Sequence, residues 1–256
     1  VIVTTTVELG DCIQLLRQVP DNTFEVCVTS PPYNIGINYA GFSDRREDYD
    51  EWTLRWLSEA TRVSRRGVLL NIGGSPSGQT ALYKTLGAIA SRFIIQNSIV
   101  WAKSVAVDGV SRGHVKPINS TKYLNSGHEL ILHVVKAPVD VDRLAVGVPY
   151  ADKSNITRFG AEGRADLRCA GTIWYVPYPT RKKELPHPAS FPVALAARAI
   201  AYAGGSGPVL DPFMGSGTTL QAAREAGRSS HGIDIDVASV RIARERLKLE
   251  TCENTA

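Results

Sequence analysis

Two short segments hold residue types whose spacing can do chemistry. Ser30-Pro31-Pro32-Tyr33 follows the β-branched run from Phe24 to Thr29. The prolines fix the local backbone and push their preceding residues toward extended geometry. The Ser30 hydroxyl and the Pro31 carbonyl can then stand as rigid acceptors beside the flat face of Tyr33. An amino group on an aromatic ring is a poor nucleophile because its lone pair is delocalised. Two acceptors gripping its hydrogens localise that lone pair, and an aromatic side chain holds the ring by stacking. The same four residues also suit a plain Pro-Pro turn that caps a strand, with Tyr33 as ordinary packing.

The second segment runs through Asp211, Pro212, Phe213, Met214, Gly215, Ser216, Gly217, Thr218 and Thr219. Its glycines let backbone N–H groups at a helix start approach a ligand. No lysine follows them, which excludes a Walker phosphate loop, and Leu220 stands where the dinucleotide fingerprint needs its third glycine. Asp234 lies about 20 residues on, where a ribose-binding carboxylate belongs. Together they point to an adenosine-type cofactor, against the alternative of a structural turn and a solvated aspartate. Cys12, Cys27, Cys169 and Cys252 lack metal-ligand spacing and read as buried thiols, so no metal is expected.

The elements around these segments alternate. Strands are predicted at Phe24–Thr29, Val68–Ile72, Phe93–Trp101, Glu129–Val135, Val209–Asp211 and His231–Ile235. Helices are predicted at Cys12–Gln18, Tyr49–Ser64, Leu82–Ser91, Ala194–Ala203, Thr218–Glu225 and Val237–Glu250. Alternating strands and helices imply a largely parallel α/β sheet. The 256 residues fit one domain, residues 1–256. The stretch from Lys136 to Thr172 is polar and aperiodic, and loops this long usually carry function.

At 43% hydrophobic and 21% charged, composition argues against disorder, and no apolar run approaches the roughly 20 residues that span a bilayer. Val1 to Val7 does not read as a secretory signal, so the expected location is cytoplasmic. Residues 102–185 hold thirteen Lys and Arg against eight Asp and Glu, while the whole chain carries only +4. A basic middle segment suits a polyanionic partner and equally a solvated face.

The two motifs together resemble the amino-methylating DNA methyltransferases. Asp211-Pro-Phe-Met-Gly-Ser-Gly-Thr-Thr matches that family's cofactor motif. Ser30-Pro-Pro-Tyr33 matches its catalytic tetrapeptide, in the serine form associated with cytosine N4. The tetrapeptide precedes the glycine motif, the circularly permuted order of the β group, and the likeness runs from about Glu8 to Leu247. The resemblance implies a Rossmann-like, doubly wound, mostly parallel sheet with a final antiparallel strand, and the two motif strands adjacent at its switch point. It implies S-adenosylmethionine as cofactor, double-stranded DNA as substrate, and allows a companion restriction endonuclease and a homodimer. Within it, Asp11 and Cys12 resemble the segment near the cofactor adenine. His187-Pro188 to Phe191-Pro192 resembles the element flanking the cofactor pocket, with Phe191 as the adenine contact. Without that context, Asp11 reads as a helix cap.

The resemblance places target recognition at residues 137–171. Arg112, Lys116, Lys122, Lys153, Arg158, Arg164, Arg168, Arg181, Lys182 and Lys183 are candidates for phosphate contacts. The loop from Ile35 to Asp48, with Arg45 and Arg46, can close over DNA near a flipped base. The expected reaction is methyl transfer to cytosine N4 in duplex DNA, with adenine N6 as the alternative acceptor. A non-catalytic DNA-binding subunit would show degraded glycines or a lost tetrapeptide, and neither is seen. A nicotinamide dehydrogenase leaves the Ser30 motif unexplained.

Overall fold

A central sheet of eight strands organises the chain, in the order β1-β14-β13-β2-β5-β9-β6-β12. The computed structural model describes residues 2–39, 42–113, 118–151, 167–178 and 191–249. Along the chain these form β1 (Thr5–Leu9), α1 (Cys12–Arg17), β2 (Val26–Thr29), β3 (Asn38–Tyr39), β4 (Phe42–Ser43), α2 (Tyr49–Val63), β5 (Val68–Ile72) and α3 (Gln79–Arg92). There follow β6 (Ile94–Ala102), β7 (Ser104–Val107), β8 (Val110–Gly113), β9 (His128–Val135), β10 (Val148–Pro149), β11 (Leu167–Arg168) and β12 (Ile173–Tyr175). The last elements are α4 (Val193–Ala203), β13 (Val209–Asp211), α5 (Thr218–Glu225), β14 (Ser230–Asp234) and α6 (Val237–Leu247).

Central strands β2 and β5 are buried along their whole length, which is why they read as mostly apolar runs, each with one polar residue near its carboxyl end. Successive side chains point to opposite faces. Val26, Val28 and Leu69 therefore join the core under α4 and α5, while Cys27, Val68 and Leu70 join the one under α1 and α2. Trp56, Leu57, Ala60 and Val63 supply the buried stripe of α2. The strand expected at Phe24–Thr29 begins two residues later, with Phe24 making only an isolated bridge to Ser64.

Seven of the eight strands run parallel, and β9 is antiparallel to both β5 and β6. This bears out the α/β class and corrects one detail: the antiparallel strand is the ninth in the chain and lies inside the sheet. Strand β13 pairs directly with β2. The helix after β2 covers one face and the helix after β13 the other, so a crevice opens between their carboxyl ends. Because β9 is reversed, its amino-terminal end reaches that same edge, as does the carboxyl end of β6.

Candidate active site

The glycine segment folds into a tight turn between β13 and α5. Gly215 and Gly217 have φ of +50° and +79°, a region that other residues enter only with strain. Gly215 N–H donates to Asp234 Oδ2 at 2.9 Å, and Asp236 N–H donates to Oδ1 at 2.9 Å. Asp234 is thereby fixed against the turn. Gly10 N–H donates to the Asp234 carbonyl at 2.9 Å, which brings Asp11 alongside. Asp11 Oδ1 caps α1 by accepting from Gln14 N–H at 3.0 Å. A cavity of about 260 Å³ beside it is lined by Asp11, Arg17, Arg46, Trp52 and Arg55 among others.

Within the motif itself, Asp211, Pro212, Met214, Ser216, Gly217, Thr218 and Thr219 are buried, and only Phe213 and Gly215 keep appreciable surface. The buried side chains hold the turn in place. Asp211 Oδ1 accepts from the Thr29 hydroxyl at 2.7 Å and from Phe213 N–H at 3.1 Å. It ties the glycine turn to the residue just before Ser30. Thr219 donates to the Val28 carbonyl at 3.2 Å, and Arg246 donates to the hydroxyls of Ser216 and Thr218 at 3.0 Å each. Phe213 packs edge-on against Trp56 and Trp52, with ring centroids at 4.9 and 5.5 Å. Burial pushes the Asp211 carboxyl up from 3.8 to about 6, against the lowering pull of its hydrogen bonds. Burial likewise pushes the Cys12 thiol to about 12, which leaves it a neutral packing group; Cys27 is buried too, whereas Cys169, expected to be buried, is exposed on the loop after β11. Phe191 is 8% exposed within the core beside α4.

One strand over, Ser30 and Tyr33 meet. Ser30 Oγ lies 2.9 Å from the Tyr33 hydroxyl, which donates to Glu129 Oε2 at 3.0 Å. Asn71 Nδ2 donates to the Tyr33 hydroxyl and, at 2.7 Å, to Glu129 Oε2. Lys103 Nζ closes the far side on Glu129 Oε1 at 2.8 Å. The Tyr49 hydroxyl donates to the Pro32 carbonyl at 2.6 Å and pins the end of the turn. Burial, with Glu129 adding to it, holds the Tyr33 phenol well above its ordinary value, so it stays protonated.

Asn71, Lys103 and Glu129 were not singled out in the sequence. Asn71 and Glu129 sit inside runs that read as core strand, and the sole signal was a polar residue at an otherwise apolar strand end. Of the basic candidates, Arg112, Lys122 and Arg168 are exposed. Lys116, Lys153, Arg158, Arg164, Arg181, Lys182, Lys183, His187, Pro188 and Cys252 lie outside the described residues. Arg46 stacks over Trp52 at 5.1 Å and pairs with Asp48 at 3.0 Å, while Asp44 accepts the N–H groups of Ile35, Gly36 and Ile37. The described ends of the loop are thus tied to each other through Asp44 and to α2 through Arg46. Among the described residues no group of side chains could hold a metal ion, and no helix is long and apolar enough to cross a membrane.

The Ser30 turn and the glycine turn thus end adjacent strands of the sheet. Residues 24–245 match the N6/N4 DNA methylase family. The chain belongs to that family. It is 32% identical to the Type II methyltransferase M.ScaI of Streptomyces caespitosus over 94% of this chain and 80% of that protein. It is 27% identical to the DNA adenine methyltransferase YhdJ of Escherichia coli (strain K12) over 94% of this chain and 82% of that one. Among solved structures, PvuII DNA methyltransferase (cytosine-N4-specific) superposes with a TM-score of 0.72 at 16% identity, covering 98% of this chain and 89% of that one. Its fold is therefore shared.

S-adenosylmethionine is the methyl donor of this DNA methylase, and the crevice fits it. Two positive-φ glycines keep the turn free of side chains, and the carboxylates of Asp11, Asp211 and Asp234 lie close enough to gather negative charge beside it, which suits a cationic donor.

Proposed function

We propose that this DNA methylase transfers a methyl group to the exocyclic N4 of cytosine in double-stranded DNA, by flipping the base and direct attack of its amine. The observation that carries this reading is the placement of Ser30 and Tyr33 at the end of β2, next to the glycine turn after β13. The donor supplies an electrophilic methyl group on sulfur. We assign the Gly215 backbone and Asp234 to its amino-acid and ribose parts, and Asp11, Cys12, Phe191 and Phe213 to the adenine side. Asp211, Pro212, Met214, Ser216, Gly217, Thr218 and Thr219 act by shaping the turn, since their side chains are buried.

At the acceptor, Ser30 Oγ and the Pro31 carbonyl hold the amine, Pro32 stiffens the turn, and the Tyr33 ring stacks on the base. No cysteine lies in that turn to add covalently to the ring, which supports transfer to nitrogen. The serine form of the tetrapeptide favours cytosine over adenine. Residues 1–256 act as one catalytic domain in this reading, with 137–171 as the recognition insertion. Because M.ScaI is a Type II methyltransferase, a companion endonuclease is part of the proposal, as is a homodimer. Nucleoside mass spectrometry of DNA methylated in vitro tests the acceptor. N4-methylcytosine supports the reading, N6-methyladenine replaces the substrate while keeping the mechanism, and 5-methylcytosine overturns it.

A further inference from the structure

The hydrogen bonds around Tyr33 have a direction that can be counted out. Its hydroxyl carries one proton and meets three partners: Ser30 Oγ, Asn71 Nδ2 and Glu129 Oε2. A carboxylate only accepts, so the phenol proton goes to Glu129. An amide nitrogen only donates, so Asn71 occupies a phenol lone pair. The reversed amide would set Asn71 Oδ1 against the Glu129 carboxylate, and in the observed orientation that oxygen is buried without a hydrogen-bond partner. With its own proton committed, the Tyr33 oxygen can meet Ser30 only as an acceptor. The Ser30 hydroxyl therefore donates inward, and its lone pairs face the site.

We propose that Glu129, held by Lys103, is a positioning residue that sets this direction and takes up the proton released by the methylated amine through Ser30 and Tyr33. This rests on the amine-methylation reading above. The balance is simple. As the amine nitrogen forms its bond to the methyl carbon, the carbon–sulfur bond breaks and its electron pair stays on sulfur, leaving the nitrogen with one proton too many. That proton passes to Ser30 Oγ, the Ser30 proton passes to the Tyr33 oxygen, and the Tyr33 proton passes to Glu129 Oε2. The second and third transfers run along bonds of 2.9 and 3.0 Å that already exist. The net change is one neutral carboxyl at Glu129, and no other reactant is needed. Among the described residues, the charged or titratable groups facing Glu129 are Lys103 after β6, Tyr33 in the turn after β2, and Tyr178 beyond β12, whose phenol is raised by burial with Glu129 adding to it. Lys103 and Glu129 are both mostly buried, with 16% and 17% of their side chains exposed, so solvent screens the pair weakly.

A double-mutant cycle on single-turnover methyl transfer to unmodified genomic DNA tests the route. Glu129→Gln and Tyr33→Phe keep volume and ring, and each should slow transfer about 10²-fold, the lower range for lost proton transfer. If Glu129 acts through Tyr33, the double variant should be no slower than Tyr33→Phe by more than about threefold. A merely structural Glu129 would instead multiply the two losses, because the glutamine amide turns an NH2 donor toward either Lys103 or Asn71 in both backgrounds. A readout independent of turnover comes from the cofactor-free protein labelled with ¹³Cζ-tyrosine, with Tyr33→Phe assigning the resonance. Glu129→Gln should let the Tyr33 phenol ionise at lower pH. Multiplicative losses, a near-wild-type rate for Glu129→Gln, or an unmoved Tyr33 titration would overturn the proposal. Failure of the wild type to methylate DNA at all would instead remove the functional reading, with the Tyr33 titration still reporting on the chain.

Discussion

Asp211→Asn separates a buried charge from the hydrogen bonds that hold it. Asparagine Oδ1 can keep the bonds from Thr29 and Phe213, and its amide can face the Thr219 hydroxyl, whose proton already goes to the Val28 carbonyl. What disappears is the cost of keeping a carboxylate in a site 2% exposed. The shift from 3.8 to about 6 corresponds to about 3 kcal/mol at 1.36 kcal/mol per unit. The folded value is raised, so the native state holds its proton after the unfolded chain has lost it. Stability therefore falls as pH rises from about 4 to about 6, and the full cost applies above that window. Urea unfolding, followed by the fluorescence of buried Trp56, Trp101 and Trp174, gives the difference between variant and wild type. That difference should grow in favour of Asp211→Asn by roughly half of the 3 kcal/mol between about pH 5 and about pH 7.5. Other titrations cancel in the subtraction. A difference that stays flat across this range would refute the placement of an ionising carboxylate in the core. The same variant should bind S-adenosylmethionine more weakly, because a negative charge leaves the crevice of a cationic ligand.

Gly215→Val should strain a backbone at φ +50°, and Asp234→Ala should release the turn it anchors; calorimetry should show weaker S-adenosylmethionine binding in both folded proteins. Gly73→Ala would set a Cβ 2.8 Å from Glu129 Cγ and 3.1 Å from Tyr33 Cε2, so methyl transfer should slow while calorimetric cofactor affinity is unchanged. DNA affinity measured by fluorescence anisotropy should fall steeply with added salt, since phosphate contacts release counterions, and a flat response would argue against a duplex substrate.

The motif strands and most helices were legible because their signals are local. Val68–Ile72 is a run apolar at every position but Asn71, set between Gly67 and Gly73, and β5 occupies those residues. Short or polar strands were not legible. Thr5–Leu9 alternates weakly at the sheet edge, and Ile173–Tyr175 has three residues and earns its place only by pairing with Val100–Ala102. Helix α3 starts at Gln79, three residues before its first expected apolar position, because Gly78 rather than a polar cap begins it. At the site, Ser30 and Tyr33 stood out through the neighbouring prolines. Glu129 and Asn71 did not, since their meeting with Tyr33 depends on β9 running backwards beside β5, a pairing that no local pattern encodes.

Ser30→Ala tests the central claim most directly, by its single-turnover rate of methyl transfer to DNA. The variant removes one hydroxyl at the end of β2 and leaves the Asp211–Thr29 tie and the glycine turn intact. Cofactor affinity and unfolding should match the wild type, while transfer falls about 10²-fold or more, as expected for a lost polar contact made in the transition state. Transfer at the wild-type rate in a folded, cofactor-binding Ser30→Ala protein would contradict the assignment of the Ser30 turn as the site of amine methylation.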